Sequence, residues 1–301
     1  MIIKFSGSDL QGTNDLSIPS SAVVLSTADK KEQVLTEVGV DMAHMPFAEV
    51  DRAIYFAAGN NFDYISILVP DFISHLTETA LLEAYITKDY LLISSTPQLL
   101  EKIEDVLTKD GSLDKQPIYM LSQLFTYLLP QNFTFLDKIE DEIEELEERA
   151  TLKKPEDHTA KIIALRKELL MLKRYFESLY DVLEDLEENQ NELIPESKAR
   201  LFSSHKKRSD RYLSTVLNLR DYLTQVREAF QNQLDISLNQ TMNFFTVIAS
   251  VFLPLTLLVG WYGMNLQIPE TKYAHTYPII IVVSIVFVVV SLIFYKRKGW
   301  F

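Results

Sequence analysis

The 301-residue chain carries 29 Lys and Arg against 42 Asp and Glu, a formal charge of −13, with no cysteine and 8 glycines. The missing cysteine excludes a disulfide scaffold, a thiol nucleophile and any zinc site built on thiolates. The acidic balance argues against nucleic acid as a partner, since phosphate binding needs clustered Lys and Arg, and neither GxGxxG nor a P-loop occurs. Residues 1–115 alternate short strands and helices. Period-two and β-branched runs predict strands at Ile2–Phe5, Ala22–Leu25, Ala53–Ala57, Tyr64–Val69, Leu81–Thr87 and Tyr90–Ser94, with Lys88-Asp89 turning the last two into a hairpin. Helices are predicted at Asp29–Val38, capped by Thr27 or Asp29, and at Pro97–Leu107, capped by Thr96 with Pro97 as first helical residue. This reads as a cytoplasmic α/β domain.

Residues 116–238 have the texture of long helix. Phe135–Leu152 is densely acidic yet keeps Ile139, Ile143 and Leu146 at helical spacing, and Pro155 marks a break. A second helix over about 156–191, ended by Pro195, would fold back on it as an antiparallel hairpin. A third begins near Glu196 and meets no proline until Pro254. Along it Tyr212, Val216, Leu219, Leu223, Val226 and Phe230 step by four and three, a heptad seam that requires a partner helix. At 1.5 Å per residue this stalk makes roughly 90 Å of rod.

Residues 239–301 read as a membrane domain. No Asp, Glu, Lys or Arg occurs between Ile236 and Pro269, nor between Tyr273 and Tyr295. Both runs reach the roughly 20 residues of helix that a ~30 Å hydrocarbon core requires, so spans are expected at about 242–262 and 275–295. The β-branched density of the second run still predicts helix, because in lipid the backbone must satisfy itself internally. Lys296, Arg297 and Lys298 after the second span put both termini on the cytoplasmic side by the positive-inside tendency, in the inner membrane, and the start of the chain shows no signal-peptide core. The fold class expected is therefore an α+β membrane protein: an N-terminal cytoplasmic α/β domain, a long helical stalk and two C-terminal transmembrane helices.

The first span has a polar edge. Asn239, Met242, Thr246, Ala249, Leu253, Thr256 and Gly260 step by three and four, setting amide and hydroxyl groups among apolar and small ones. Ser and Thr in spans also bond their own backbone, and Pro254 frees a carbonyl that Ser250 could serve. A whole stripe ending in Tyr262-Gly263-Met264-Asn265 points further, to several copies in a ring enclosing a pore. A ring of neutral amide oxygens suits Mg²⁺, which sheds water reluctantly, whereas a carboxylate ring would hold it harder and slow its release.

Tyr262-Gly263-Met264-Asn265, the short loop with Pro269-Glu270, the second span, the basic end Lys296–Phe301 and the run Met242–Thr256 resemble the CorA family of divalent-cation channels. The detailed match covers about residues 236–301. The resemblance implies a homopentamer embedded in lipid, conducting Mg²⁺ passively with Co²⁺ and Ni²⁺ as further substrates. Mg²⁺ would be both substrate and regulatory ligand, and no separate cofactor is implied. Gly263, Met264 and Asn265 would form the selectivity filter. Asn239 and Thr256 would be polar rings further in, Met242 and Phe245 a hydrophobic constriction, and Lys296–Lys298 a basic collar. In that family internal Mg²⁺ bridges carboxylates between subunits and holds the pore shut. Where the family places an acidic ligand near the start of the stalk, this chain reads Arg200-Leu201-Phe202-Ser203-Ser204-His205-Lys206-Lys207-Arg208-Ser209-Asp210. The sensor ligands are thus unassigned, with Asp89 and the acids of 137–148 as candidates; for the latter a solvated helix face is the first expectation. The five histidines show no ligand spacing, and no enzyme is indicated. A zinc-transporting relative and a non-conducting membrane-anchored scaffold or sensor are the alternatives.

Overall fold

The computed structural model describes residues 2–6, 9–12, 22–40, 54–71, 79–109, 116–129, 133–150, 158–264, 269 and 275–300. These fall into two compact units, one of Met1–Leu146 with Asp157–Gln225, the other of Glu147–Glu156 with Val226–Phe301.

The first unit holds a seven-stranded sheet. Its strands are β1 (Ile2–Ser6), β2 (Asp9–Gly12), β3 (Ala22–Thr27), β4 (Tyr55–Ala58), β5 (Asp63–Pro70), β6 (Thr79–Ile86) and β7 (Tyr90–Ser95), in the order β2-β1-β3-β7-β6-β5-β4. All pairs are antiparallel except β3 with β7. These two central strands are covered on both faces, which is why Ala22–Leu25 and Leu91–Ile93 are unbroken apolar runs, all buried. The expected β6–β7 hairpin is present: the Thr87 N–H donates to the Tyr90 carbonyl at 2.8 Å, and the Tyr90 N–H to the Thr87 hydroxyl at 2.9 Å. β2 was not predicted; Asp-Leu-Gln-Gly has no strand signature of its own and is a strand through its pairing with β1.

Helix α1 (Lys31–Val38) closes one face through Val34 and Leu35, packed with Val24, Leu92, Tyr64 and Tyr85. The cap expected from Thr27 or Asp29 is not formed. Lys30 is the N-cap and makes no side-chain cap bond, while a hydrogen bond from Thr27 occupies Asp29 and lowers its pKa. The far end stops at Gly39, whose φ of 81° only glycine adopts without strain. Lys31 reaches both oxygens of Glu83 at 3.0 and 2.8 Å, and Tyr64 donates to the same carboxylate at 2.9 Å. Helix α2 (Pro97–Lys109) starts as expected, with Pro97 in the first turn and the Thr96 carbonyl accepting from Leu100 at 3.0 Å.

Helices α3 (Pro117–Leu128), α4 (Thr134–Ala150), α5 (Thr159–Glu188) and α6 (Glu196–Tyr262) follow. Here α3 stands as a separate helix, with Pro117 in its first turn. The α4–α5 hairpin is antiparallel: Phe135 stacks on Phe176 with centroids 6.3 Å apart, while Lys161 pairs with Glu142 and Glu145 at 3.5 and 3.1 Å. α6 locks onto this pair. Tyr212 lies 4.8 Å from Phe176 at 9°, and the Ser209 hydroxyl donates to the Phe176 carbonyl at 2.8 Å. The six residues of the heptad seam, Tyr212 to Phe230, are all buried. His205 is also buried, hydrogen-bonded to Ser122 at 2.9 Å; burial, helped by Arg208, pushes its pKa down to about 4.

The α5–α6 turn is tied to the sheet. Asn189 takes the left-handed φ of 50° and clamps Ile194 through both its amide atoms. Two residues on, the Asn191 amide donates to the Gly59 carbonyl at 2.8 Å and to the Asp63 carboxylate at 2.7 Å. Asp63 is 2% exposed, and burial raises its pKa to about 6, opposed in part by the Asn191 bond. Between pH ~4 and ~6 the fold holds a proton at Asp63 that the unfolded chain has released, so stability falls as pH rises through this window. Asp63→Asn keeps an oxygen for Asn191 and removes the ionisation. At pH 7.5 it is expected to stabilise the protein by up to about 3 kcal/mol, from ~1.4 kcal/mol per pH unit, the gain vanishing near pH ~4. Thermal unfolding of both proteins across this pH range checks it; a pH-independent difference would contradict it.

Candidate functional site

Among the described residues two helices are long and apolar enough to cross a membrane: α6, whose apolar stretch falls in the second unit, and α7 (Thr276–Arg297). α6 runs unbroken through Pro254. The carbonyl that Pro254 leaves free is that of Ser250 itself, and the Ser250 hydroxyl instead donates to the Val247 carbonyl at 2.9 Å; the expected rescue is not made. Thr246 and Thr256 donate to the carbonyls of Met242 and Phe252, each at 2.8 Å.

Within this part of α6, Val247 and Val251 are buried and Asn243, Ser250, Leu255 and Leu258 half-buried. The stripe lies roughly 140° away around the helix at 3.6 residues per turn. Asn239, Met242, Thr246, Ala249, Leu253, Thr256 and Gly260 are all exposed along it. Both threonine hydrogens are thus satisfied within the helix; in a helix laid against lipid the Asn239 amide is the group on this line that needs a polar neighbour or water. Phe245 is exposed too and stacks edge-on against Phe244 at 5.8 Å, but it sits roughly 60° from Met242, on the flank of the line rather than in it.

The helix ends in an open concavity of about 470 Å³, formed by Leu253, Thr256, Leu257, Gly260, Trp261 and Met264. Gly260 is one of its lining residues, and a Cβ there would meet nothing within 4 Å. One turn on, Gly263 is constrained differently. Its N–H donates to the Val259 carbonyl at 2.8 Å, and a Cβ would stand 3.0 Å from that same oxygen. Met264 is exposed, and Asn265 lies outside the described residues.

α7 ends in a Schellman arrangement. Gly299, at φ 71°, donates to the Lys296 carbonyl at 3.1 Å and Trp300 to the Tyr295 carbonyl at 3.2 Å. The Tyr295 and Trp300 rings pack 5.3 Å apart, and the Lys298 ammonium lies 5.2 Å from the Phe294 ring. Lys296, Arg297 and Lys298 thus crowd one turn at a helix C-terminus, where the helix dipole favours cations. Of the sensor candidates, Asp89 is in the β6–β7 turn and Glu142 and Glu145 pair with Lys161. Among the described residues no chain gathers three His, Asp or Glu side chains able to hold a metal.

Sequence reasoning stopped the stripe at Asn239. Continued below it in the same steps, the line reaches Asp235, Asn232 and Glu228, all exposed. The signal was the periodicity itself, masked by the change from apolar to polar composition.

A helix pair of membrane-spanning length, one member bearing a polar line, in a chain that also folds an α/β sheet domain, defines a two-span membrane protein. Residues 59–297 match the family described as CorA-like Mg²⁺ transporter protein. The cobalt/magnesium transport protein CorA of Thermotoga maritima is 30% identical over 188 residues, 62% of this chain and 53% of that protein, so the match spans about half of that relative's length. The complete structure of the CorA magnesium transporter from Methanocaldococcus jannaschii aligns with a TM-score of 0.81 at 18% identity, covering 100% of this chain and 99% of that one. The ZntB cytoplasmic domain from Vibrio parahaemolyticus aligns at 0.61 and 15% identity, over 77% and 97%. The chain belongs to the CorA-like Mg²⁺ transporter family.

Proposed function

We propose that five copies of the chain form a channel through which Mg²⁺ enters passively, driven by the membrane potential and restrained from within by Mg²⁺ itself. The observation that carries this reading is the exposed line from Asn239 to Gly260 leading to Gly263 and Met264. Turned inward in a ring, it gives hydrated ions a wall of amide, hydroxyl and small groups. Gly263-Met264-Asn265 forms the filter at the outer end. Met242, flanked by Phe245, narrows the inner half, and Lys296–Lys298 surround the cytoplasmic mouth. On this reading both termini are cytoplasmic, the chain divides near residues 115 and 238 into sheet domain, stalk and pore, and Co²⁺ and Ni²⁺ are further substrates. The ZntB likeness keeps zinc as a competing substrate, although that likeness concerns fold alone.

Two measurements test it. The mass of the detergent-solubilised protein is expected to be that of five chains, and purified protein in liposomes is expected to take up Mg²⁺ under an inside-negative potential. A monomer or dimer, or no divalent flux, would leave the scaffold reading standing. Uptake of Zn²⁺ in preference to Mg²⁺ would move the chain to the zinc reading.

A further inference from the structure

We propose that Lys296 and Arg297 hold the phosphodiester headgroup of an anionic phospholipid of the inner leaflet, whose acyl chains lie along the far side of α7. The proposal rests on α7 spanning a membrane and goes beyond the basic collar. Consecutive residues of a helix point roughly 100° apart, so Lys296, Arg297 and Lys298 cannot all face one mouth. From Ile280 onward the half-buried residues of α7 are Ile280, Ser284, Val288, Ser291 and Tyr295. They step by four and three and mark the side turned to the rest of the chain. Measured around the helix from the middle of that line, Lys298 lies roughly 40° away, Arg297 roughly 140° in the same sense and Lys296 roughly 120° in the other. Lys298 is also engaged, with its ammonium 5.2 Å from the Phe294 ring and 6.0 Å from that of Trp300. Lys296 and Arg297 are exposed, and among the described residues neither has a carboxylate partner.

The far side of α7 suits lipid. Ile279, Val282, Val286, Val289 and Ile293 run down it in steps of three and four, all exposed, and the next step reaches Lys296 or Arg297. The polar side chains between Ile279 and Tyr295 are Ser284, Ser291 and Tyr295, and all of them lie on the half-buried line. The Ser284 hydroxyl donates to the Ile280 carbonyl at 2.8 Å. Hydrocarbon on the far side accounts for this sorting, since a polar atom there would find no partner. From Val286 to Arg297 is about 16 Å of helix, half of a ~30 Å core, so the lower part of the aliphatic line matches the chains of one leaflet. Two cations flank the place where it ends. An Arg fork takes two phosphate oxygens and a Lys adds a compact charge. Between Tyr273 and Phe301 the chain has no Asp or Glu to meet the ammonium of a zwitterionic headgroup, so the chemistry favours an acidic lipid. A soluble phosphate shares the charge but has no chains to lie on the line.

The test uses the full-length protein in phosphatidylcholine vesicles doped with spin-labelled phosphatidylglycerol or spin-labelled phosphatidylcholine, and reads by EPR the fraction of label immobilised against the protein. Wild type is expected to prefer the anionic label roughly fivefold or more, less in high salt, and undiminished by free inorganic phosphate. K296Q/R297Q is expected to bring the ratio close to one, K296R/R297K to keep it, and K298Q to leave it as in wild type. Should the double variant fail to insert, R297Q alone is expected to lose much of the preference. A wild type without preference, a K296Q/R297Q protein that keeps it, a K298Q protein that loses it equally, or displacement by free phosphate overturns the proposal. Protein that an alkaline carbonate wash strips from the vesicles overturns the membrane reading itself, whereas protein that stays inserted without choosing between the labels overturns this site alone.

Discussion

Asn265→Ala is expected to abolish Mg²⁺ uptake into liposomes, a fall of two orders of magnitude or more, while the mass of the assembly stays that of wild type. The proposed filter would meet a hydrated ion, and an amide oxygen accepts from that ion's water where a methyl group accepts nothing. Filter geometry also depends on the residue two positions earlier. Gly263 ends α6 with its N–H on the Val259 carbonyl at 2.8 Å, and a Cβ would come within 3.0 Å of that oxygen. Gly263→Ala must therefore shift the last turn by a few tenths of an ångström, carrying Met264 and Asn265 with it. It is expected to lose roughly tenfold or more of the rate, since small displacements of positioning groups are costly. Gly260→Ala, where a Cβ meets nothing within one copy, should leave the last turn of α6 unshifted and so separates a displaced turn from a narrowed line. An Asn265→Ala protein with wild-type uptake would remove the filter from the proposal.

Phe176→Ala is expected to be the most destabilising single change in the helical part. Phe176 is fully buried, with the rings of Phe135, Tyr175 and Tyr212 at 6.3, 5.2 and 4.8 Å. Removing it leaves a cavity among three aromatic partners on α4, α5 and α6 at once, a loss of about 3–5 kcal/mol. For a domain of this size that lowers the unfolding temperature by roughly 6–20 °C. Phe176→Leu refills part of the space and should recover about half of the loss. A shift under ~1 kcal/mol for the alanine variant would mean that the stack does not hold the three helices together.

Much of this architecture was legible because it is written in periodicities. The buried central strands appeared as apolar runs, the stalk as a seam stepping by four and three, and the spans as charge-free stretches. What could not be read depends on partners distant in sequence. β2 is a strand because β1 lies beside it, and no property of Asp9–Gly12 announces that. The parallel β3–β7 pairing joins segments 68 residues apart, Ala22 with Tyr90. Thr27 and Asp29 looked like caps, but they bond each other in the turn before α1, and local hydrogen bonding of this kind competes with capping. At the candidate site the stripe, the filter triplet and the basic end were read from spacing and from family resemblance. Its lower continuation was not, because the eye follows an apolar pattern and this line becomes amide and acid. The sensor that the family resemblance implies stayed unread for another reason: ligands shared between copies would leave no spacing within one chain.

The two threonines of the stripe have each turned their only hydrogen back onto their own helix. What they show the outside is therefore lone pairs alone. From Met242 to Gly260 the rest of the line is carbon and thioether, so it has no proton to offer. Chloride or phosphate passing such a wall would find nothing to bind it, whereas a cation's water would find a partner at each threonine level. In the proposed pore, rejection of anions over this stretch would need no negative charge; the direction of two hydroxyl bonds would be enough.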